Sequence, residues 1–370
     1  MHVAIIADWL TAMGGAERVL KELCALWPDA VLFSTVADRH ILHQFPVKRN
    51  QTSFLQPWYR VFKKHQPLLF SMPRAVEEFD LRDFDLIISS SHAVAKGVIP
   101  PPHALHICYC HTPIRYAWEM EDQYLDDFHI PHVFRPAIKR RLMQFRRWDM
   151  TSAKRVDHFI ANSSITQERI KRIYARESVV IHPPVHNRFF AEARRPPGNL
   201  FSTIYYLAVG RLVPYKRFDL LIKLANQKKM MLIIAGDGQD RKRLQKMAGP
   251  TVQFLGRVSD AELSALYANA KALLFPAHED AGIVPLEAQA CGTPVIAYGK
   301  GGIRDAVQEN VTGVFFEEQT VESMRGALDH FEKQSWNRKN IRAHAKQFSQ
   351  DQFRTNMRMH VHAYIHASRH

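Results

Sequence analysis

Short apolar runs, each of strand length, recur along the chain between amphipathic stretches. Val3–Ala7, Val31–Phe33, Leu86–Ile88, Leu105–Cys110 and His158–Ala161 form a first series. Such mostly apolar runs predict strands of a parallel sheet, buried on both faces. Gly15–Leu26 and Pro136–Ala153 predict helices between them. A second series follows at Tyr205–Val209, Met231–Ala235, Val252–Leu255, Ala272–Phe275, Pro294–Ala297 and Gly313–Phe316. Helices are predicted there at Phe218–Gln227, Asp240–Met247, Asp260–Asn269, Pro285–Cys291 and Val321–Phe331. Strand–helix alternation, twice over, predicts two doubly wound Rossmann-like α/β domains.

Prolines in His182-Pro-Pro-Val185 and Arg194-Arg-Pro-Pro-Gly198 mark a linker. The expected domains are 1–185 and 186–348, with a basic helix over 349–370 packing back on the first. Ligands of open α/β sheets bind at the carboxyl ends of the strands, so a cleft between the domains is the expected active site.

The 370 residues exceed what one core usually organises, and 46% of them are hydrophobic. No apolar run approaches the roughly 18 residues that span a bilayer. Met1–Asp8 reads as a first strand and not as a signal peptide. Cys24, Cys108, Cys110 and Cys291 form no C-x-x-C pair, which suggests reduced thiols in a cytosolic protein.

The net charge of +14 suits nucleic acid, an anionic membrane or a phosphorylated ligand. Lys48, Arg49, Arg60, Lys63, Lys64 and Arg74 interleave with Phe54, Trp58, Tyr59 and Phe62. Arg135, Lys139, Arg140, Arg141, Arg146 and Arg147 form a second cluster. Cations mixed with aromatics fit an anionic membrane surface, and a solvated helix face fits the same pattern. No nucleic-acid motif accompanies the charge, so no nucleic-acid partner is expected.

The candidate chemistry lies at strand ends. Gly14-Gly15-Ala16-Glu17 follows the first strand, where glycine lets backbone N–H groups approach a phosphate. His111, in His111-Thr112-Pro113, follows a later strand and reads as a polar contact to substrate. A metal site with Cys108 and Cys110 is disfavoured, because no second ligand pair appears. Arg211 and Lys216 follow the first strand of the second series and suit a diphosphate. Gly236-Asp237-Gly238 forms a turn, and the backbone at Arg257 offers contacts to a base edge. Glu279 and Glu287 flank Asp280, Ala281, Gly282, Ile283 and Val284, whose N–H groups open a helix with Pro285 in its first turn. Two carboxylates also suit glycoside hydrolysis, but Arg211 and Lys216 favour a diphosphate leaving group. Gly299-Lys300-Gly301-Gly302 ends the next strand and borders the same loop.

Taken in order, Gly14-Gly15-Ala16-Glu17, His111-Thr112-Pro113, Gly210-Arg211 with Lys216, Gly236-Asp237-Gly238, Glu279 with Glu287, and Ala290–Val295 resemble family 4 retaining glycosyltransferases of the GT-B fold. The resemblance covers nearly the whole chain. It implies that Glu279 contacts the donor sugar, with backbone from Asp280 to Ile283, and that Glu287 holds the ribose. It implies that Arg211 and Lys216 bind the diphosphate and stabilise its leaving charge. Gly15 would approach the same diphosphate, and His111 would sit near the reaction centre. It implies no covalent nucleophile and no metal, with the donor phosphate oxygen accepting the acceptor proton. The family often carries Phe where Ala281 stands. The His111 and Glu279–Glu287 segments are similar to bacterial O-antigen and exopolysaccharide mannosyltransferases. That similarity implies GDP-mannose as donor and a lipid-linked saccharide acceptor at the inner face of the cytoplasmic membrane. A UDP-sugar donor, a silent nucleotide-sugar-binding protein and an epimerase of this fold are the alternatives.

Overall fold

A computed structural model describes residues 1–119, 131–191 and 204–368. Arg194–Gly198 of the expected linker, and the polar Asp126-Asp127 pair, lie outside the described residues. The chain divides into two compact units, Met1–His182 with Arg354–His370, and Pro183–Phe353.

The first unit is built on seven strands: β1 (Val3–Ala7), β2 (Val31–Ser34), β3 (Arg49–Thr52), β4 (Leu86–Ser91), β5 (Leu105–Cys110), β6 (His158–Ala161) and β7 (Ser178–Val180). Their order is β3-β2-β1-β4-β5-β6-β7, and every neighbouring pair is parallel. The five predicted strands are the five inner ones. β3 and β7 are edges, and the exposed Arg49-Asn50-Gln51 carries no apolar signal. Arg49–Thr52 is a strand because β2 offers a free edge in register with it. The helix Gly15–Leu26 has the predicted bounds, and Arg135–Ala153 starts one residue before the prediction. Helices Gln56–Phe62 and Ser164–Tyr174 were not predicted. The final helix, Gln350–Ser368, belongs to this unit from Arg354 onward. Arg354 pairs with Glu22 at 2.6 Å, and Tyr364 stacks on His158 at 3.8 Å between ring centroids.

The second unit carries β8 (Tyr206–Val209), β9 (Leu232–Ala235), β10 (Val252–Gly256), β11 (Ala272–Phe275), β12 (Val295–Tyr298) and β13 (Gly313–Phe316). The order is β10-β9-β8-β11-β12-β13, again parallel throughout. Alternate side chains enter opposite cores. Leu207, Ile233, Leu273 and Val295 pack on one face, and Ala208, Ile234, Leu274 and Ile296 on the other. Burial on both faces is the physical reason that these strands read as continuous apolar runs.

Each sheet reverses its winding once, between β1 and β4 in the first unit and between β8 and β11 in the second. The loops leaving those neighbouring strands diverge and leave a crevice at their carboxyl ends. The candidate side chains described below lie at or beside these two positions.

Candidate active site

In the second unit, β8 ends at Val209 and the chain turns through Gly210 at φ +152°. The backbone can take that angle because glycine has no Cβ. Arg211 follows, exposed and without a hydrogen-bond or ion partner among the described residues. A short turn, Pro214–Lys216, then brings Lys216 back over the strand end. Its Nζ lies 2.8 Å from Glu279 Oε1. The pair is mostly shielded, with side-chain exposures of 12% and 22%. Strand order explains the meeting, because β11, which leads into Glu279, pairs directly with β8.

Two glycine turns pack beside this pair, and close backbone approach explains them. A Cβ at Gly236 would overlap the Gly210 carbonyl, and one at Gly238 the Leu212 carbonyl. The backbones are joined by Gly210 N–H to Ala235 O at 3.0 Å and Leu212 N–H to Asp237 O at 3.0 Å. Gly256, at φ +71°, ends β10 and is followed by exposed Arg257, which makes no hydrogen bond or ion pair among the described residues.

The carboxylate loop rests on the third glycine cluster. Gly302 N–H donates to Glu279 O at 2.9 Å, and a Cβ at Gly302 would overlap the Asp280 carbonyl. Asp280 and Ala281 are half-buried, and Gly282 caps the helix Ile283–Ala290. Pro285 is its third residue, where the missing N–H breaks no helical bond. The N–H groups of Ile283 and Val284 precede the first helical bond, made by Leu286 N–H to Gly282 O at 3.0 Å. Glu287 is 2% exposed and accepts the Tyr267 hydroxyl at 3.2 Å.

In the first unit, Asp8 at the end of β1 is buried and accepts the backbone N–H groups of His92, Ala93, Val94 and Ala95 at 2.6–3.2 Å. His92, at the end of β4, places Nδ1 2.9 Å from Asp8 Oδ2, an ion-pair distance without full hydrogen-bond alignment. Burial alone would raise the Asp8 pKa, but the His92 charge and the backbone donors lower it to about 2. For His92, burial opposes the charge, and Asp8 and then Glu17 outweigh it and raise its pKa. Trp9 stacks on His65 at 4.4 Å and meets His92 edge-on at 4.7 Å.

His111 follows β5 and is 8% exposed. Its Nε2 lies 2.8 Å from Ser90 Oγ, and its carbonyl accepts the Thr166 hydroxyl at 3.2 Å. Burial, then the nearby His92 charge, pushes its pKa down to about 3, so the ring is neutral. Gly14 and Gly15 start the helix Gly15–Leu26, and Glu17 Oε2 accepts the Gly14 N–H at 2.9 Å. The helix start therefore already carries a carboxylate of its own.

Residues 13–189 match the family described as Glycosyltransferase Family 4, and residues 191–348 match Glycosyl transferases group 1. The chain belongs to the family 4 glycosyltransferases. A D-inositol 3-phosphate glycosyltransferase of Actinosynnema mirum is 30% identical over 186 residues, 43% of this chain and 45% of that protein. A GDP-mannose-dependent alpha-mannosyltransferase of Mycolicibacterium smegmatis is 41% identical over 110 residues, 30% of this chain and 29% of that protein. The chain thus spans less than half the length of these curated relatives. Anabaena HepE, solved in complex with UDP, superposes with a TM-score of 0.72 over 98% of this chain and all of HepE, at 19% identity. Sucrose-phosphate synthase of Thermosynechococcus elongatus gives 0.75 over 99% of this chain and all of the synthase, at 17% identity. At such identities the likeness establishes the GT-B fold.

Within this glycosyltransferase, the sequence-predicted residues fall into two groups. Arg211, Lys216, Gly238, Arg257, Glu279–Val284 and Glu287 lie in the second unit, and Gly14, Gly15 and His111 in the first. Sequence reasoning missed the Lys216–Glu279 contact and the Asp8–His92 cluster. Ser89-Ser90-Ser91-His92 was legible as a polar end to an apolar run, the usual place for a ligand contact. Among the described residues no group of three or more His, Cys, Asp or Glu is placed to hold a metal ion. No described helix is long and apolar enough to cross a membrane.

Proposed function

We propose that this glycosyltransferase moves mannose from GDP-mannose to a lipid-linked saccharide in bacterial surface polysaccharide synthesis, with retention at the anomeric carbon. The observation that carries the donor side is the Lys216–Glu279 contact at the β8/β11 switch point, with Arg211, which makes no ion pair among the described residues, nearby in sequence. A diphosphate takes Arg211 and Lys216 as its cations, and the N–H groups at Ile283 and Val284, ahead of the first helical bond, form the positive end of that helix. As the anomeric bond breaks, negative charge grows on the diphosphate, where both cations then bind more tightly than in the ground state. Glu279 accepts hydrogen bonds from the sugar hydroxyls while holding Lys216 in place. Glu287 meets the ribose, and Gly238 and Arg257 the nucleotide.

Mannose as the donor sugar is supported by the 41% identity to the M. smegmatis GDP-mannose-dependent enzyme, over its limited span. A membrane-borne acceptor is supported by the first unit's surface. Trp58, Val61 and Phe62 share one helix face at i, i+3, i+4 spacing and are 57%, 73% and 46% exposed, with Arg60, Lys63 and Lys64 around them. That face supports an anionic membrane surface as the working place of the protein, on the cytoplasmic side, where nucleotide sugars are found.

Thermal-shift screening with GDP-, UDP- and ADP-linked hexoses tests the donor. GDP-mannose is expected to raise the Tm most, as binding to the folded state requires. A larger shift with a UDP-sugar replaces mannose by that sugar. No shift with any of them removes the donor reading.

A further inference from the structure

A groove of about 650 Å³ opens in the first unit at the carboxyl ends of β2 and β3, a volume in the range of small-ligand pockets. Asp38 and Arg39, after β2, form one wall, Thr52 ends β3, and the helix Gln56–Phe62 forms the other wall. Gln56 fastens that helix to the loop after β2, accepting the Ala37 N–H and donating to the Ala37 carbonyl, both at 2.8 Å. The two walls are therefore joined before anything binds. We propose that this groove binds the phosphate monoester headgroup of a membrane lipid, at a site separate from that of the donor diphosphate. The proposal rests on the reading of this face as a membrane surface, and it replaces diffuse charge by one built site.

Charge selects the ligand. Arg39, Arg60 and Lys63 line the groove, with His40 beside them, and the side chains of these three cations make no hydrogen bond or ion pair among the described residues. Asp38 is the carboxylate on the wall, and it accepts the His40 N–H at 2.9 Å. It is also the last acidic residue before Glu77. Three permanent cations against one carboxylate leave a balance that suits a dianion. A phosphate monoester carries roughly −1.5 to −2 charge at pH 7 and presents three acceptor oxygens. Guanidinium forks and an ammonium match those oxygens better than they match a carboxylate of single charge.

Tyr59 adds a neutral donor. It is 7% exposed, its ring packs in the first unit's core, and it also lines the groove. Its hydroxyl has no hydrogen-bond partner among the described residues. Burial, then the Asp38 charge, raises its pKa, so the proton stays on the oxygen. A mostly buried hydroxyl of this kind is satisfied when a phosphate oxygen accepts from it.

The same helix argues for a lipid as the bearer of the phosphate. Gln56, Tyr59 and Arg60 turn to the groove at i, i+3, i+4 spacing, and Lys63 caps the helix end. Trp58, Val61 and Phe62 form the exposed apolar face beside them. One helix thus borders a cationic groove on one side and an apolar surface on the other. A soluble phosphate uses only the groove. A lipid with its headgroup in the groove uses both, because its chains lie in the membrane that Trp58 and Phe62 face.

The test is co-sedimentation with phosphatidylcholine vesicles that carry either phosphatidic acid or phosphatidylglycerol, matched in zeta potential. The first presents a phosphate monoester and the second a diester in the same surface field. Wild-type protein should bind the phosphatidic acid vesicles about tenfold more tightly, the worth of one charge-assisted hydrogen bond. Tyr59→Phe keeps the ring and the charge, and it should remove most of that preference while binding to phosphatidylglycerol stays unchanged. Arg39→Gln, at an exposed position off the apolar helix, should remove it as well, with a small loss on both vesicles. Circular dichroism confirms folding of each variant. A preference that survives both substitutions overturns the groove as its source. A Tyr59-dependent rise in Tm with glycerol 3-phosphate, without any preference between vesicles, overturns the lipid and assigns the groove to a soluble phosphate. Equal binding to both vesicles with no response to glycerol 3-phosphate overturns the site and leaves diffuse charge. Absence of binding to either vesicle overturns this inference together with the membrane reading, and the donor reading is decided separately by its own thermal shifts.

Discussion

Lys216 Nζ and Glu279 Oε1 stand 2.8 Å apart at the carboxyl ends of two adjacent strands, β8 and β11. Each fixes the other before any ligand arrives. The carboxylate keeps the lysine extended toward the strand end, and the lysine keeps the carboxylate turned toward it. A part-exposed pair of this kind contributes only about 0–1 kcal/mol to stability. Its value lies in positioning.

Glu279→Gln should therefore leave the melting temperature within a few degrees of wild type. It should lower sugar transfer by about 10–100-fold, the loss of one charged hydrogen bond to the sugar together with a loosened Lys216. Steady-state kinetics with the donor found by thermal shift measures this. Unchanged kcat/KM separates Glu279 from the donor site.

Among the described residues Arg211 makes no hydrogen bond or ion pair, so its loss should not affect folding. Arg211→Ala should cost about 10²–10³ in kcat, the usual price of removing one preorganised donor to a developing anion. Arg211→Lys should recover only part of it, since an ammonium lacks the planar fork. Equal kcat in all three proteins counts against a diphosphate at Arg211.

The exposed face of Gln56–Phe62 predicts binding to anionic vesicles that weakens with salt. Reversing the charge of Lys63 and Lys64 should cost about 1 kcal/mol of membrane affinity per residue in co-sedimentation. Trp58→Ser should weaken binding with little effect on its salt dependence. Reversal of Arg140 and Arg141, exposed on Arg135–Ala153, shows whether the second basic cluster shares the surface.

His106 predicts a specific acid sensitivity. It is fully buried, with Nε2 2.9 Å from Ser89 Oγ and Nδ1 3.0 Å from Arg155 O. Burial lowers its pKa to about 4, against 6.5 in the unfolded chain. Between those values the unfolded chain binds a proton that the folded chain refuses. Stability is thus complete above pH 6.5 and falls by up to about 3 kcal/mol as pH drops to 4. Urea unfolding at pH 7.5 and 5.0 should show a smaller loss for His106→Gln than for wild type. His65 and His111 act in the same direction, and His92, with its raised pKa, acts oppositely.

Below the His92 loop, Lys96 forms a buried ion pair with Asp149, which also accepts from Trp118 Nε1 at 2.8 Å and the Tyr174 hydroxyl at 2.9 Å. Asp149→Ala should destabilise the protein by about 3–5 kcal/mol by leaving a buried ammonium uncompensated. Lys96→Met combined with Asp149→Leu should restore much of that loss. Chemical denaturation of the three variants measures both effects.

The alternation of apolar runs determined the fold class and the inner strands, because a parallel strand buried on both faces must be apolar at nearly every position. The sequence also determined the strand-end motifs, since glycine turns and a proline in the first helical turn announce themselves locally. It did not disclose β3, whose Arg49-Asn50-Gln51 pairs only because β2 presents an open edge. Nor did it disclose which strand ends meet. Strand order brings Lys216 to Glu279 and Asp8 to His92, and that order is decided by crossovers over many residues, where local propensity carries no information. The charge states of His92 and His111 are likewise tertiary. One imidazole faces a buried carboxylate and the other does not, so two histidines of identical chemistry are driven to opposite sides of their ordinary pKa.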